Sequence, residues 1–391
     1  MTLIGKDICV LGAGVAGLAV ARALALRGAH VTVLEQADAI REVGAGLQLS
    51  PNGLRVLAAL GLDLPDDWPV TEAAELRDGA TDALLVRLDL GRRWPGGFRL
   101  VHRADLIAIL AQGARDAGVD IRLRQRGVSV DMAEDGPVLH TGQGAILRPS
   151  LLIGADGLHS VVRAALEGPA RPFFTRQTAW RAVIAAEPGV APVAEVHLGP
   201  GRHLVTYPLR GGTLRNIVAV EERDHWVQES WSLQDDAMEM RLAFADFSPR
   251  VRGWLERVDY CWLWGLFRHP VARRWGWTGR ERGVAILGDA AHPTLPFLAQ
   301  GANMALEDAW ALTAALAGHD GAAAALAAYQ AARAPRCARI VAAADDNARA
   351  YHLSGPARTI GYAALRLAGA VAPDRIMRRL DWLYDFDVTA G

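Results

Sequence analysis

Hydrophobic positions in this chain follow three rhythms. Short, unbroken apolar runs rich in β-branched residues occur at Asp7–Gly12 (DICVLG), His30–Glu35 (HVTVLE), Leu151–Gly154 (LLIG) and Val284–Leu287 (VAIL). Such runs predict strands covered on both faces of a parallel sheet. Stretches of helical spacing lie between them: Val15–Arg27 closed by Gly28, Pro51–Leu60 with proline at its start, Val101–Ala117, and a segment from about Asn303 to Ala317. Val119–Arg122 and Gly127–Asp131 read as short strands. From 175 to 220 the rhythm changes to successive strands, Ala179–Ala186, Val193–Leu198, His203–Pro208 and Leu214–Val220, with Gly199-Pro200-Gly201 and Gly211-Gly212 at the turns. This pattern predicts an antiparallel meander. The remainder is alanine-rich and helical to about Arg379, and no internal repeat is present.

The order of these rhythms implies an α/β chain in which a nucleotide-binding domain is assembled from separated pieces, with an antiparallel substrate domain inserted between them. Its first turn carries the most specific signal. Gly12-Ala13-Gly14-Val15-Ala16-Gly17 joins the first strand to the first helix. Gly12 permits the tight turn, Gly14 has no Cβ to block a pyrophosphate, and Gly17 lets helix and strand pack closely. The helix N-terminus favours the phosphate charge. Glu35, ending the second strand, is placed to accept hydrogen bonds from a ribose hydroxyl. The motif alone does not distinguish NAD from FAD.

Composition narrows the partners. The 391 residues are 51% hydrophobic and 22% charged, with a formal net charge of -1. This is a globular composition with no net field to hold nucleic acid or an anionic membrane. No apolar stretch is long enough to span a membrane, and the run Ile8–Leu26 reads as fold, not leader, because it contains Gly12, Gly14, Gly17 and Arg22. Cys9, Cys261 and Cys337 have no disulfide or zinc spacing, so no metal site is expected, and a cytoplasmic location is. The only lysine is Lys6.

Several further motifs carry a resemblance: Gly44-Ala45-Gly46-Leu47-Gln48-Leu49-Ser50-Pro51-Asn52, Arg103-Ala104-Asp105-Leu106, Gly154-Ala155-Asp156-Gly157-Leu158-His159-Ser160, Gly288-Asp289-Ala290-Ala291-His292-Pro293 and Trp382-Leu383-Tyr384. Together with Gly12–Gly17 and Glu35 they make the whole chain similar to the class A flavoprotein aromatic hydroxylases of the para-hydroxybenzoate hydroxylase fold, and within these to salicylate hydroxylase and 3-hydroxybenzoate 6-hydroxylase. The resemblance implies a Rossmann-like FAD-binding domain (GR2-type) at 1–75, 98–168 and 280–335, a substrate domain at 76–97 and 169–279, and a C-terminal helical segment at 336–391. It implies FAD as cofactor, NADH or NADPH as co-substrate, and O2 and a small aromatic acid as substrates. Oxygen would add at the flavin C4a carbon, and the resulting hydroperoxide would transfer OH to the ring. A homodimer is compatible with this reading.

Residue roles follow from the same source. Asp289 after its strand could hold a ribityl hydroxyl, bind a metal or cap a helix; the resemblance selects the ribityl chain. Gly301, Ala302 and Asn303 open a helix whose N–H groups could face the flavin pyrimidine. Arg103 is expected beside the ribityl–phosphate stem. Asp156 belongs to a motif shared by FAD and NAD(P)H, and Ala16, Gln48 and Val128 complete the expected cofactor contacts. On the substrate side, His203, Val205 and Tyr207 share one face of a strand. His203 is expected as the general base, Tyr207 as a hydrogen-bonding partner of the substrate hydroxyl, and Gln300 as a contact to the ring near the flavin. The tryptophans of Trp262-Leu263-Trp264 are expected to pack a strand.

Other functions compete. A flavin halogenase needs an active-site lysine, and Lys6 precedes the first strand on the wrong side of the sheet. A ubiquinone-pathway hydroxylase would carry Gly-Gln-Gly-x-Asn where this chain has Leu298-Ala299-Gln300-Gly301-Ala302-Asn303. Hydroxylases of other rings, such as hydroxynicotinate or urate, and a non-enzymatic flavoprotein are the remaining alternatives.

Overall fold

A computed structural model describes residues 2–40, 46–224 and 234–390. The apolar runs do form one parallel sheet. Its strand order is Gly276–Thr278, Gly283–Ile286, Leu151–Gly154, Asp7–Leu11, His30–Leu34 and Asp120–Arg122, and only the first of these runs antiparallel. Strands from near residues 10, 150 and 285 thus lie side by side, with the helix Val15–Ala25 packed between the sheet and the helix Gly301–Gly318. Parallel alignment brings the carboxyl ends of three strands to one edge, and the turns at Gly12, Ala155 and Gly288 therefore meet there.

The second sheet has eight strands where four were expected. In order they are Gln234–Asp235, Cys261–Arg268, Phe173–Ala185, Leu214–Glu222, Arg202–Leu209, Val193–Gly199, Ala73–Asp78 and Leu84–Leu88. The meander forms its centre. Ala73–Asp78 adds in parallel to Val193–Gly199, so this strand runs through the expected boundary between residues 75 and 76. Two other expectations shift for similar reasons. Arg99–His102 is not helical: it pairs antiparallel with Gly46–Leu49, and the helix begins at Arg103. The boundary at 335–336 falls inside the 30-residue helix Ala322–Tyr351, which contains Pro335. No helix among the described residues is long and apolar enough to cross a membrane.

Candidate active site

The edge where the three turns meet faces the eight-stranded sheet, and between them lies a cavity of about 370 Å³. One wall carries Gly14, Val15, Ala16, Gln48, Arg103, Gly157, Asp289, Gly301 and Ala302. The other carries Arg181, His203, Val205, Tyr207, Val218 and Trp264, and Leu295, Pro296 and Phe297 close one end. Gly44 and Ala45 of the glycine-rich motif lie outside the described residues.

The fingerprint glycines separate by what surrounds them. A Cβ on Gly12 would meet Ala155 O at 2.4 Å, and one on Gly17 would meet Gly12 O at 1.9 Å. These two are required by the protein's own packing. A Cβ on Gly14 would meet no protein atom within 4 Å, and its backbone, at φ -78° and ψ -173°, suits any residue. Gly14 lines the cavity, so its missing side chain leaves room for a ligand and not for a neighbour. Glu35 accepts the N–H groups of Ala13 (2.8 Å) and Ala37 (2.9 Å), which fixes the loop and keeps its carboxylate at the end of the second strand. The accepting carboxylate of Glu35 and the open cradle at Gly14 fit a dinucleotide.

Asp289 is an exposed side chain on the cavity wall. The protein mass around its turn raises its carboxyl above the usual range by desolvation, against the opposing pull of His292 and Arg103. Gly301 and Ala302 begin an 18-residue helix with no side-chain cap, so their N–H groups lack helical acceptors and line the cavity as donors.

Four residues expected at the site do not line the cavity with their side chains; for Asn303 the expectation concerns its backbone N–H. Gln300 is 1% exposed and does not line the cavity. Ala299 takes a left-handed turn (φ 52°), and the Gln300 amide is consumed by Ser50 Oγ (3.0 Å), Asn52 (3.1 Å) and Leu298 O (3.4 Å). Asn303 is also buried: it accepts Ser50 N–H (3.0 Å) and donates to Gln48 O (3.1 Å) and Ala299 O (2.9 Å), so its side chain ties the cavity walls together. The Asp156 carboxylate turns to the start of the helix Val161–Glu167, accepting from Ser160 Oγ (2.5 Å) and Val161 N (2.8 Å); burial outweighs these bonds and raises it to about 6. Val128 is an exposed strand residue beside Gly142, away from the cavity.

The substrate-side wall holds the expected pair and a cation that the sequence reading overlooked. Burial pushes the Tyr207 phenol above its ordinary range, against the pull of Arg181, so it is a protonated donor. His203 is fully buried, and Nδ1 lies 2.7 Å from His352 Nε2. His352 Nδ1 in turn lies 2.7 Å from Glu222 Oε1. A carboxylate only accepts, so His352 donates from Nδ1 and accepts at Nε2, and His203 must donate from Nδ1. The lone pair of His203 then sits on Nε2, a buried atom with no hydrogen-bond partner among the described residues. Burial, with His352 adding to it, holds His203 well below the usual imidazole range and therefore neutral. Arg181 lines the cavity with its guanidinium 3.9 Å from the Trp264 ring centroid. Trp264 is therefore part of the site wall, whereas Trp262 packs edge-on against Tyr260. The alternation along the strand could have shown that Arg181 faces as Ala179 and Val183 do, but not that this face meets the cavity.

Comparison with known proteins decides the family. The FAD binding domain family matches residues 6–344. A 3-amino-4-hydroxybenzoate 2-monooxygenase of Streptomyces platensis is 33% identical over 97% of this chain and 96% of its own length, and a 3-hydroxybenzoate 6-hydroxylase of Klebsiella oxytoca is 34% identical over 96% and 95%. The chain belongs to the class A FAD-dependent aromatic hydroxylases. Its fold is shared with a salicylate hydroxylase substrate complex (TM-score 0.79, 23% identity, 99% of this chain and 97% of that one). It is also shared with Klebsiella pneumoniae HpxO complexed with FAD and uric acid (TM-score 0.81, 23% identity, 96% and 95%).

Behind the wall of the cavity that carries Asp289, this hydroxylase has a buried ionic network. Asp308 accepts from Gly288 N (3.1 Å), Arg333 Nε (2.8 Å) and His292 Nε2. Glu307 takes Arg333 (2.5 Å), Arg336 (2.8 Å) and Asn52 (2.6 Å). Burial alone would lower His292, but Asp308 reverses this and holds it well above its usual value. The network fixes the turn that presents Asp289. His292, Asp308 and Cys337 also bring potential metal-ligand atoms within 4.8 Å of one another, a cluster the spacing concealed. Arg333 already donates to Asp308 and Cys337 there, so a guanidinium supplies the positive charge.

Proposed function

We propose that this hydroxylase acts on a small aromatic acid bearing a ring hydroxyl, with NADH or NADPH and O2 as co-substrates. The observation that supports this best is the convergence of His203, Tyr207 and Arg181 on the wall opposite the FAD features. When bound, FAD supplies the redox chemistry, accepting electrons from NAD(P)H and activating O2 for transfer of one oxygen atom to the ring. The protein's residues prepare the ring. Arg181 anchors the carboxylate as a charge-assisted partner. His203 Nε2 takes the phenolic proton, and Tyr207 donates a hydrogen bond to the oxygen left behind, which raises electron density on the ring carbon to be attacked. Val205, Val218, Leu295 and Phe297 exclude water.

The names of the relatives favour this class: 3-hydroxybenzoate, 3-amino-4-hydroxybenzoate and 6-hydroxynicotinate each combine a ring hydroxyl with a carboxylate. Lys6 sits at the amino end of the first strand, opposite the cavity, which speaks against a halogenase. On the same reading the FAD domain comprises 1–72, 98–168 and 276–351, bounds moved to the ends of the strands and helix that cross the expected ones, and the eight-stranded sheet is the inserted substrate domain.

The test is a panel of 3-hydroxybenzoate, salicylate, 3-amino-4-hydroxybenzoate, 6-hydroxynicotinate and urate given to the holoenzyme. NAD(P)H consumption, peroxide and product mass are measured for each. A hydroxylated product is expected from at least one acid, with urate, which lacks a carboxylate, the weakest. If no acid stimulates NAD(P)H consumption, or all the reducing power appears as peroxide, the reading fails.

A further inference from the structure

We propose that His352 and Glu222 form a proton path that carries the proton taken up by His203 from the buried cavity to the protein surface. The proposal rests on His203 being the base. Its carrying observation is the unbroken chain from His203 Nδ1 to His352 Nε2 and from His352 Nδ1 to Glu222 Oε1, each step 2.7 Å. The two ends differ in the way a path requires. His203 has no solvent exposure, whereas the Glu222 side chain is 54% exposed.

A buried base that keeps its proton would hold an imidazolium in a dry site, which is costly, and its pairing with the new phenolate would draw electron density back from the ring. His203 faces the rings of Phe297 and Tyr351 at 5.0 and 5.2 Å and a second imidazole, surroundings that do not stabilise an imidazolium. The chain removes the difficulty. As the substrate O–H bond breaks and Nε2–H forms on His203, the Nδ1–H of His203 breaks and Nε2–H forms on His352. The Nδ1–H of His352 then breaks, and an O–H forms on Glu222, which loses it to water. Both imidazoles end neutral in the opposite tautomer, and one proton has left the protein. The reverse sequence resets the path.

The fold supports the middle station. His352 caps the carboxyl end of the helix Ala322–Tyr351, where the helix dipole favours a transient positive charge. Its carbonyl accepts Gly201 N–H (3.3 Å), which seats the helix end on the turn preceding His203. The charged groups beside Glu222 are Arg176, Arg202, Glu221, Arg223 and Asp224; those facing His352 are His203 and Glu222.

The experiment mixes FAD-loaded enzyme with 3-hydroxybenzoate in a stopped-flow instrument, in weakly buffered solution containing a pH-indicator dye. It follows proton release together with the phenolate difference absorbance. Wild type should release about one proton per site. His352→Gln keeps an acceptor for His203 Nδ1–H but cannot relay, so release should slow at least tenfold with 3-hydroxybenzoate affinity changed less than threefold. Added imidazole should restore the rate in a concentration-dependent way, which a merely structural defect would not allow. Glu222→Gln, at the surface, should slow release without loss of fold and serves if His352→Gln does not fold. Release at the wild-type rate in both variants overturns the path and leaves His203 as base. Absence of proton release in wild type overturns the base assignment and the path together.

Discussion

The sharpest structural prediction concerns Asp308→Asn. The network around it contains two acids, Glu307 and Asp308, and three cations, Arg333, Arg336 and a protonated His292, all with side chains at most 9% exposed. Removing the Asp308 charge leaves one acid against three cations. The new amide also turns a donor toward either Arg333 or His292. Breaking a buried pair in this way costs about 3–5 kcal/mol. Unfolding entropy is roughly 2 cal/mol/K per residue, or about 0.8 kcal/mol/K for a chain of this length unfolding as one unit, so the melting temperature should fall by about 4–6 °C. Arg333→Met is the informative control: Glu307 keeps Arg336, and Asp308 keeps His292. Each acid retains a cation, and the loss should be the smaller of the two. Differential scanning calorimetry at a fixed scan rate, with flavin fluorescence read alongside, measures both. Flavin should leave earlier in Asp308→Asn, because Asp308 holds the Gly288 N–H next to Asp289. The charge count is refuted if Asp308→Asn melts within 1 °C of wild type, or if Arg333→Met proves the more damaging.

Three further outcomes are expected. Gly14→Val should purify folded but without flavin, since a Cβ there meets no protein atom within 4 Å and the branch fills the cradle instead; full flavin occupancy would show that the cradle is not the pyrophosphate site. Arg181→Met should raise KM for the best acid about 10- to 100-fold with little change in kcat, the loss of a charge-assisted bond worth about 1.5–3 kcal/mol; an unchanged KM would move the carboxylate elsewhere. Burial alone would raise Glu195, but His197 and a bidentate Arg250 at 2.7 and 2.8 Å hold it at about 2. Its folded value lies below its ordinary 4.5, so its stabilisation is complete above pH 4.5 and is lost as pH falls toward 2. In acid titrations of stability, Glu195→Gln should show about one proton less of linked uptake in that window, and an unaltered slope would contradict the pairing.

The local chemistry of the first turn was legible in the chain itself. A tight glycine turn between an apolar run and a helical run needs only neighbouring residues, so Gly12, Gly14, Gly17 and Glu35 could be placed without knowing the fold. The same holds for the face shared by His203 and Tyr207, because strand alternation is a property of the backbone. What the sequence could not determine depends on contacts distant along the chain. The direction of the Gln300 amide follows from a left-handed turn at Ala299 and from Ser50 and Asn52, some 250 residues away. Asp156 was expected at the site because its motif resembles one shared by FAD and NAD(P)H, yet a helix N-terminus five residues on donates to its carboxylate. Arg181 and His352 carried no motif at all. Arg181 acquires its position only when the eight-stranded sheet closes over the FAD wall, and His352 only when a 30-residue helix ends against the turn before His203. Periodicity fixes which side a residue faces, whereas packing alone decides what stands there to meet it.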